Sequence, residues 1–383
     1  MSNNFFTRPI IFGLFLSLAV LAMIVVIEIR RRESTANQSP KTELSSPLSE
    51  RVKGNFPRDL TDSANAKLTI KEKPQRIVSQ TLATDEILMA ICEPQRIAAL
   101  SSEADNPQYS NIIEEAKQVR GRVSGSAEQI LQLKPDLIFV ASYSKAEFYE
   151  LLKAANAPFY RFSNFDKIED IKSNIRIVGY AIGEDQKAED LVLKMEREIE
   201  ATKSRTPKHA KPLRVMSYSL SGYTAGANTL FDEILKTVGA VNVSTENKIE
   251  GFGKISSEQL TKWNPDVIIA SEDRKDIEIT RQNLLNNAAV AVTNAGKNKR
   301  VIVLPNDTFL SISHHVTKAI DQISQELYKN NTVSNGCAWS DTTRFERVVF
   351  QLQPKMATPH LLSCFCVAEA GGGYEEKGSF KLG

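Results

Sequence analysis

Two glutamates in matched surroundings, and a scatter of aromatic, hydroxyl and guanidinium groups, are the side chains here with chemistry to offer. Glu128-Gln129-Ile130, followed by Pro135-Asp136-Leu137-Ile138, returns one domain length later as Glu258-Gln259-Leu260 and Pro265-Asp266-Val267-Ile268 in the same frame. Ser126 and Ser256 stand before the two phrases as helix caps, and each has a glutamine at capping-box spacing, Gln129 and Gln259. A carboxylate in such a first turn gains ~0.3–1 kcal/mol from the helix dipole. The second set lies in loops after predicted strands: Thr81, Tyr109, Arg122 and Tyr143 in the first half, Tyr223, Phe252 and His314 in the second. Aromatic faces, hydroxyls and one arginine suit the binding of a bulky, partly anionic organic complex, by stacking and a few orienting hydrogen bonds.

Other chemistries lack their tools. A bare zinc or manganese site needs His and carboxylate ligands from both halves. The histidines are His209, His314, His315 and His360, so the first half has none, and no metal site is expected. No Gly-x-Gly-x-x-Gly follows the first strand, where Gln80-Thr81-Leu82-Ala83 stands instead. Neither a phosphate loop nor a Gly-x-Ser-x-Gly elbow is present, so neither an enzyme nor a bound cofactor is expected. A formal net charge of +2 gives no basic field for nucleic acid.

The elements that must position these groups alternate from about residue 68 to 329. Strands are predicted over 76–79, 96–100, 136–140 and 159–161, with helices over 84–91, 146–154 and 168–182 between and after them. A helix from 185 to about 203, without Gly or Pro, spans roughly 30 Å at 1.5 Å per residue and reads as a strut. The pattern then restarts: strands over 213–217, 267–270 and 301–304, helices over 229–238 and from about 313 to 329. Near-continuous apolar strands alternating with helices mean mainly parallel sheets covered on both faces. The chain is therefore α/β, with two doubly wound lobes (65–184 and 206–330) joined by one long helix (185–205), and strand carboxyl ends facing a cleft.

The ends are different in kind. Residues 10–27 are an uninterrupted apolar run, long enough to span a bilayer. A cleavable signal peptide has a shorter core and small residues at the cut, so 1–32 reads as a membrane anchor, with a signal segment as the alternative. No cysteine stands near the run, which excludes a lipid-modified terminus. Three arginines follow the segment, and the positive-inside tendency alone would place the body in the cytoplasm. Residues 33–64, rich in Ser, Pro, Asn and charge, read as a flexible linker. Cys92 alone lies in the body, so no internal disulfide forms there. Residues 331–383, with Cys337, Cys364, Cys366 and three consecutive glycines, lack regular apolar pattern and are left unassigned, as a disordered tail.

Pro74-Gln75-Arg76-Ile77-Val78-Ser79, then Thr84-Asp85-Glu86-Ile87-Leu88, the twin Glu-Gln and Pro-Asp units, and the stretch from Gly226 to Asn242 together resemble the class III periplasmic solute-binding proteins of ABC importers. These are the iron-siderophore, haem and cobalamin receptors. The resemblance covers about residues 65 to 330. It implies two Rossmann-like lobes joined by a long helix that permits little hinge motion. It also implies that Glu128 and Glu258 dock on arginines of the ABC permease, which works with its ATPase, each by two parallel hydrogen bonds. The body then lies on the outer side of the membrane, tethered through residues 10–29 or soluble after cleavage. The ligand implied is a metal chelate: a ferric siderophore first, with cobalamin or haem as alternatives, haem taking Tyr109 or Tyr143 with His314 as axial groups. A membrane-tethered sensor using the same cleft is the other reading.

Overall fold

The computed structural model describes residues 56–142, 144–207 and 211–329. The predicted anchor, most of the predicted linker, Tyr143 and the 331–383 segment lie outside the described residues. Among the described residues, no helix is long and apolar enough to cross a membrane.

The chain enters through a small antiparallel ribbon, β1 (Arg58–Thr61) with β2 (Lys67–Ile70). This corrects the linker boundary, because residues 58–61 belong to the folded body. The strand was hidden because only Leu60 of its four residues is apolar, and it buries that side chain along with Arg58. The Arg58 guanidinium donates to the Tyr180 carbonyl at 2.6 Å and pairs with Asp185 at 2.8 Å, fastening the ribbon to the start of the long helix.

The first lobe is a parallel sheet of β3 (Ile77–Ser79), β4 (Ile97–Ser101), β5 (Arg122–Val123), β6 (Leu137–Ala141) and β7 (Phe159–Phe162), in the order β5-β4-β3-β6-β7. The second has β8 (Arg214–Ser217), β9 (Tyr223–Ala225), β10 (Val241–Asn242), β11 (Phe252–Lys254), β12 (Val267–Glu272) and β13 (Val301–Pro305). Its parallel sheet runs β10-β8-β12-β13, while β9 and β11 form a separate antiparallel ribbon. In both lobes the strand order reverses beside the first strand, which makes a doubly wound topology with a switch point at the strand carboxyl ends. The strands β6 and β13 are buried throughout, as a sheet covered on both faces requires.

Helix Asp185–Arg205 joins the lobes and extends about 30 Å at 1.5 Å per residue. Its buried residues Ala188, Val192, Met195, Ile199 and Thr202 alternate four and three apart, a single stripe along one face. That stripe lies in one apolar core reaching from Ile171, Ile175 and Val178 of the first lobe to Phe231, Ile234, Ile320 and Ile323 of the second. Ion pairs flank it at each end, Lys172–Glu196 and Arg176–Glu189 at 2.9 Å, and Arg205 with Asp321. The two lobes thus share a core rather than merely a tether.

Candidate functional site

A hollow of about 610 Å³ opens at the switch point of the second lobe. Its floor is the ends of β8 and β12, with Ser217, Tyr218, Ile269 and Ala270. One wall is helix Leu230–Thr237 through Leu230, Phe231 and Ile234, and another is the segment carrying Phe309, Leu310 and Ile312. The mouth is aromatic and aliphatic: Tyr223 and Phe252 of the β9–β11 ribbon, with Leu220 and Leu310, are 49–78% exposed although large and apolar. Exposed apolar groups gathered around a concavity mark a binding surface, whereas scattered ones mean nothing.

The ribbon that carries Tyr223 and Phe252 is held by close backbone approach. Gly226 donates to the Gly251 carbonyl at 2.8 Å, and a Cβ on Gly226 would stand 2.0 Å from the Ile249 carbonyl oxygen. The position therefore requires glycine for space. Behind it, Asn242 Nδ2 donates to the Ala225 carbonyl and to Asp232, and Thr245 donates to the same carboxylate. Lys236 pairs with Asp232, and the loss of water on burial is outweighed by these donors, so the Asp232 carboxyl is held below its usual range.

The sequence-derived candidates divide sharply. Tyr223 and Phe252 line the hollow. Thr81 does not: it is buried, caps helix Leu82–Ile91 by accepting from the Thr84 amide, and shares its hydroxyl with that of Thr84. Arg122 is fastened inward, with Asp105 taking two of its N–H groups at 2.7 Å and the carbonyls of Ala116, Val119 and Gly121 taking the rest. All five donors are used, so none is left to bind an anionic ligand. His314 packs on His315, ring centroids 4.0 Å apart, and is absent from the hollow's wall. Burial, with Lys194 and Lys318 nearby, pushes the His314 imidazole down to about 4. Tyr109 is partly exposed beside Gln108, which reaches across to Asp273 of the second lobe at 2.9 Å. The hollow therefore does not bring His314 together with a first-lobe tyrosine. Among the described residues, no group of three or more His, Cys, Asp or Glu converges.

Sequence reading missed the segment at 309–312 and Glu272. The first follows strand β13 directly, at the position where a doubly wound unit places its ligand loops, and that signal was available. The second was hidden because the apolar run of β12 ends at Ala270, while the strand continues two residues further through pairs with Leu304 and Pro305.

Glu128 and Glu258 are exposed in the first turns of helices Ala127–Gln132 and Ser257–Trp263. Both helices lead back to the start of a parallel strand, β6 and β12, so both glutamates lie on the strand-carboxyl side of their lobes. The local chemistry differs between copies. Ser256 and Gln259 form a reciprocal capping box. In the first lobe Gln129 turns instead to the Arg122 carbonyl, and Ser126 donates to Glu128 at 2.7 Å, which holds the Glu128 carboxyl below its usual range.

The model of the family described as periplasmic binding protein matches residues 77–308, spanning both sheets and the connecting helix. The chain belongs to that family. The periplasmic binding protein is 23% identical over 281 residues to the ABC transporter substrate-binding lipoprotein YvrC of Bacillus subtilis, covering 71% of this chain and 86% of that one. The molybdate-binding protein MolA of Haemophilus influenzae is 24% identical over 277 residues, covering 65% and 77%. Among solved structures, the periplasmic heme-binding protein RhuT of Roseiflexus superposes with a TM-score of 0.57 at 26% identity, covering 67% of this chain and 98% of that chain. The protein is thus an extracytoplasmic solute-binding component of an ABC importer, and not an enzyme.

Proposed function

We propose that this protein captures a bulky organic ligand, a metal chelate of the siderophore kind, at the second-lobe hollow, and presents it to the permease through Glu128 and Glu258. The observation that carries the reading is the matched pair of exposed first-turn carboxylates, one per lobe, on a body whose lobes share a core. A rigid two-point contact fixes the receptor over a pore, and charge-assisted pairing makes that contact salt-sensitive. The aromatic mouth supplies stacking area for the chelate. Residues 10–29 tether the body to the outer face of the inner membrane, or the body is soluble on that side after cleavage; without a cysteine near that run, any tether differs from that of the lipoprotein among its relatives.

The relatives named above bind molybdate and haem, so ligand identity does not follow from kinship. The sensor alternative would use the same hollow, but it gives no role to two matched glutamates. The test is reconstitution with the permease and its ATPase. Reversing both charges, Glu128→Arg with Glu258→Arg, should reduce receptor-stimulated ATP hydrolysis and uptake by at least about tenfold, which is 1.4 kcal/mol of lost docking. Ligand affinity measured without the permease should stay at the wild-type value. An equal fall in ligand affinity would count against docking.

A further inference from the structure

The hollow's wall contains no Lys, Arg or His, and its one carboxylic acid is Glu272 at the end of β12. Glu272 is held from both sides. Its Oε1 accepts from the Asp273 amide and its Oε2 accepts from the Thr280 hydroxyl, both at 3.0 Å. A carboxylate offers about four acceptor directions, so two protein donors leave acceptor capacity on a residue that lines the cavity. The cations closest in sequence are committed elsewhere: Arg274 forks onto Asp307 and Lys275 pairs with Asp273. Lys254 lies over the Tyr223 ring at 5.9 Å and is not part of the wall. An apolar cavity with one oriented acceptor and no fixed cation repels anions, because low-polarity walls strengthen the interaction with the remaining charge.

We infer that the hollow selects a ligand whose inserted end is apolar and carries a cationic or N–H-donating group, which binds Glu272, and that it rejects oxyanions and polyanionic chelates. This reverses the partly anionic ligand expected from Arg122. It rests on the receptor reading and deepens it, because it names the charge class of the cargo. Glu272 is a specificity residue: it sets which chelate is admitted, while Tyr223 and Phe252 supply area to all.

The experiment uses the full chain and two ferric trihydroxamates that differ in one group, a free terminal ammonium or its neutral acetyl amide, with molybdate and a ferric tris-catecholate as anionic probes. Calorimetric titration of the wild type should show the ammonium chelate bound at least about tenfold tighter than its acetylated twin, and neither anion bound. Glu272→Gln should erase that preference. Thr280→Val, which keeps the charge and removes one positioning hydroxyl, should retain most of it and controls for folding. Equal binding of the two chelates by the wild type, binding of neither, or binding of molybdate or the catecholate would overturn the inference. The receptor reading has a separate readout. An anion that binds and stimulates the reconstituted importer would sink the charge selection and leave the receptor role standing.

Discussion

Asp85 is a strongly perturbed carboxyl of the first lobe with a defined partner set. It is fully buried at the start of helix Leu82–Ile91 and accepts from the Ser101 amide and hydroxyl. Loss of water outweighs those donors, and the neighbouring Glu86 adds repulsion, so its carboxyl is pushed up to about 7. An acid whose folded value lies above its unfolded one binds more protons when folded, so its contribution to stability falls as pH rises between the two values. The window is from about 4 to about 7. At 1.36 kcal/mol per unit, the rise from 3.8 to about 7 amounts to roughly 4 kcal/mol. Asp85→Asn abolishes that titration. Urea unfolding at pH 4.5 and pH 8 should show the variant gaining on the wild type by a few kcal/mol at the higher pH. A constant difference between the two proteins would mean that Asp85 titrates normally. Its neighbour Glu86 behaves alike, its carboxyl raised by burial against the opposing donors Ser313 and Asn111.

The β9–β11 ribbon is the element on which the mouth of the hollow depends, and Gly226 is where it can be tested. Gly226→Ala puts a methyl into the Ile249 carbonyl, and overpacking of that kind costs about 1–3 kcal/mol. The ribbon must shift, carrying Tyr223 and Phe252 with it, so ligand affinity should fall more than thermal stability alone explains. Unchanged affinity in a destabilised variant would show that the aromatic lip adapts. The same scale shows what was legible in the sequence. The twin Glu-Gln and Pro-Asp phrases marked both helix–strand units, because capping and β-entry are local chemistry written in adjacent residues. Helix Asp185–Arg205 was equally plain, since nothing in it breaks a helix. The ribbons β1–β2 and β9–β11 were not, because strands of three or four mixed residues carry too few side chains for a period to show. For the site, Tyr223 and Phe252 line the hollow, but from short strands of the β9–β11 ribbon and not from the loops in which the sequence placed them. Loop position failed for Thr81 and Arg122 because a hydroxyl before a helix turns to capping, and an arginine beside free carbonyls turns to fastening them.

At the scale of the whole molecule, two sets of contacts join the lobes among the described residues. One is the shared core along the connecting helix. The other is a polar latch centred on Asn111, whose amide and side chain donate to Glu86 and whose Nδ2 also donates to the Asp307 carbonyl at 2.7 Å. Lys318 donates to Asn111 Oδ1 at 2.9 Å, and Ser313 donates to the same buried Glu86. Asp307, Ser313 and Lys318 belong to the second lobe, and their segment includes Leu310 and Ile312 of the hollow's wall. The latch and the hollow therefore share a backbone segment, so loosening one is expected to disturb the other. Asn111→Ala leaves Glu86, Asp307 and Lys318 short of partners, at about 1–3 kcal/mol for buried groups. Small-angle scattering of the ligand-free variant should show a larger radius of gyration than the wild type, and ligand affinity should weaken as the wall loosens. If the variant keeps wild-type dimensions while affinity alone changes, the latch shapes the wall and the core by itself sets the lobe angle. If the wild type contracts on binding ligand, the hinge is open at rest and the lock formed by core and latch is wrong.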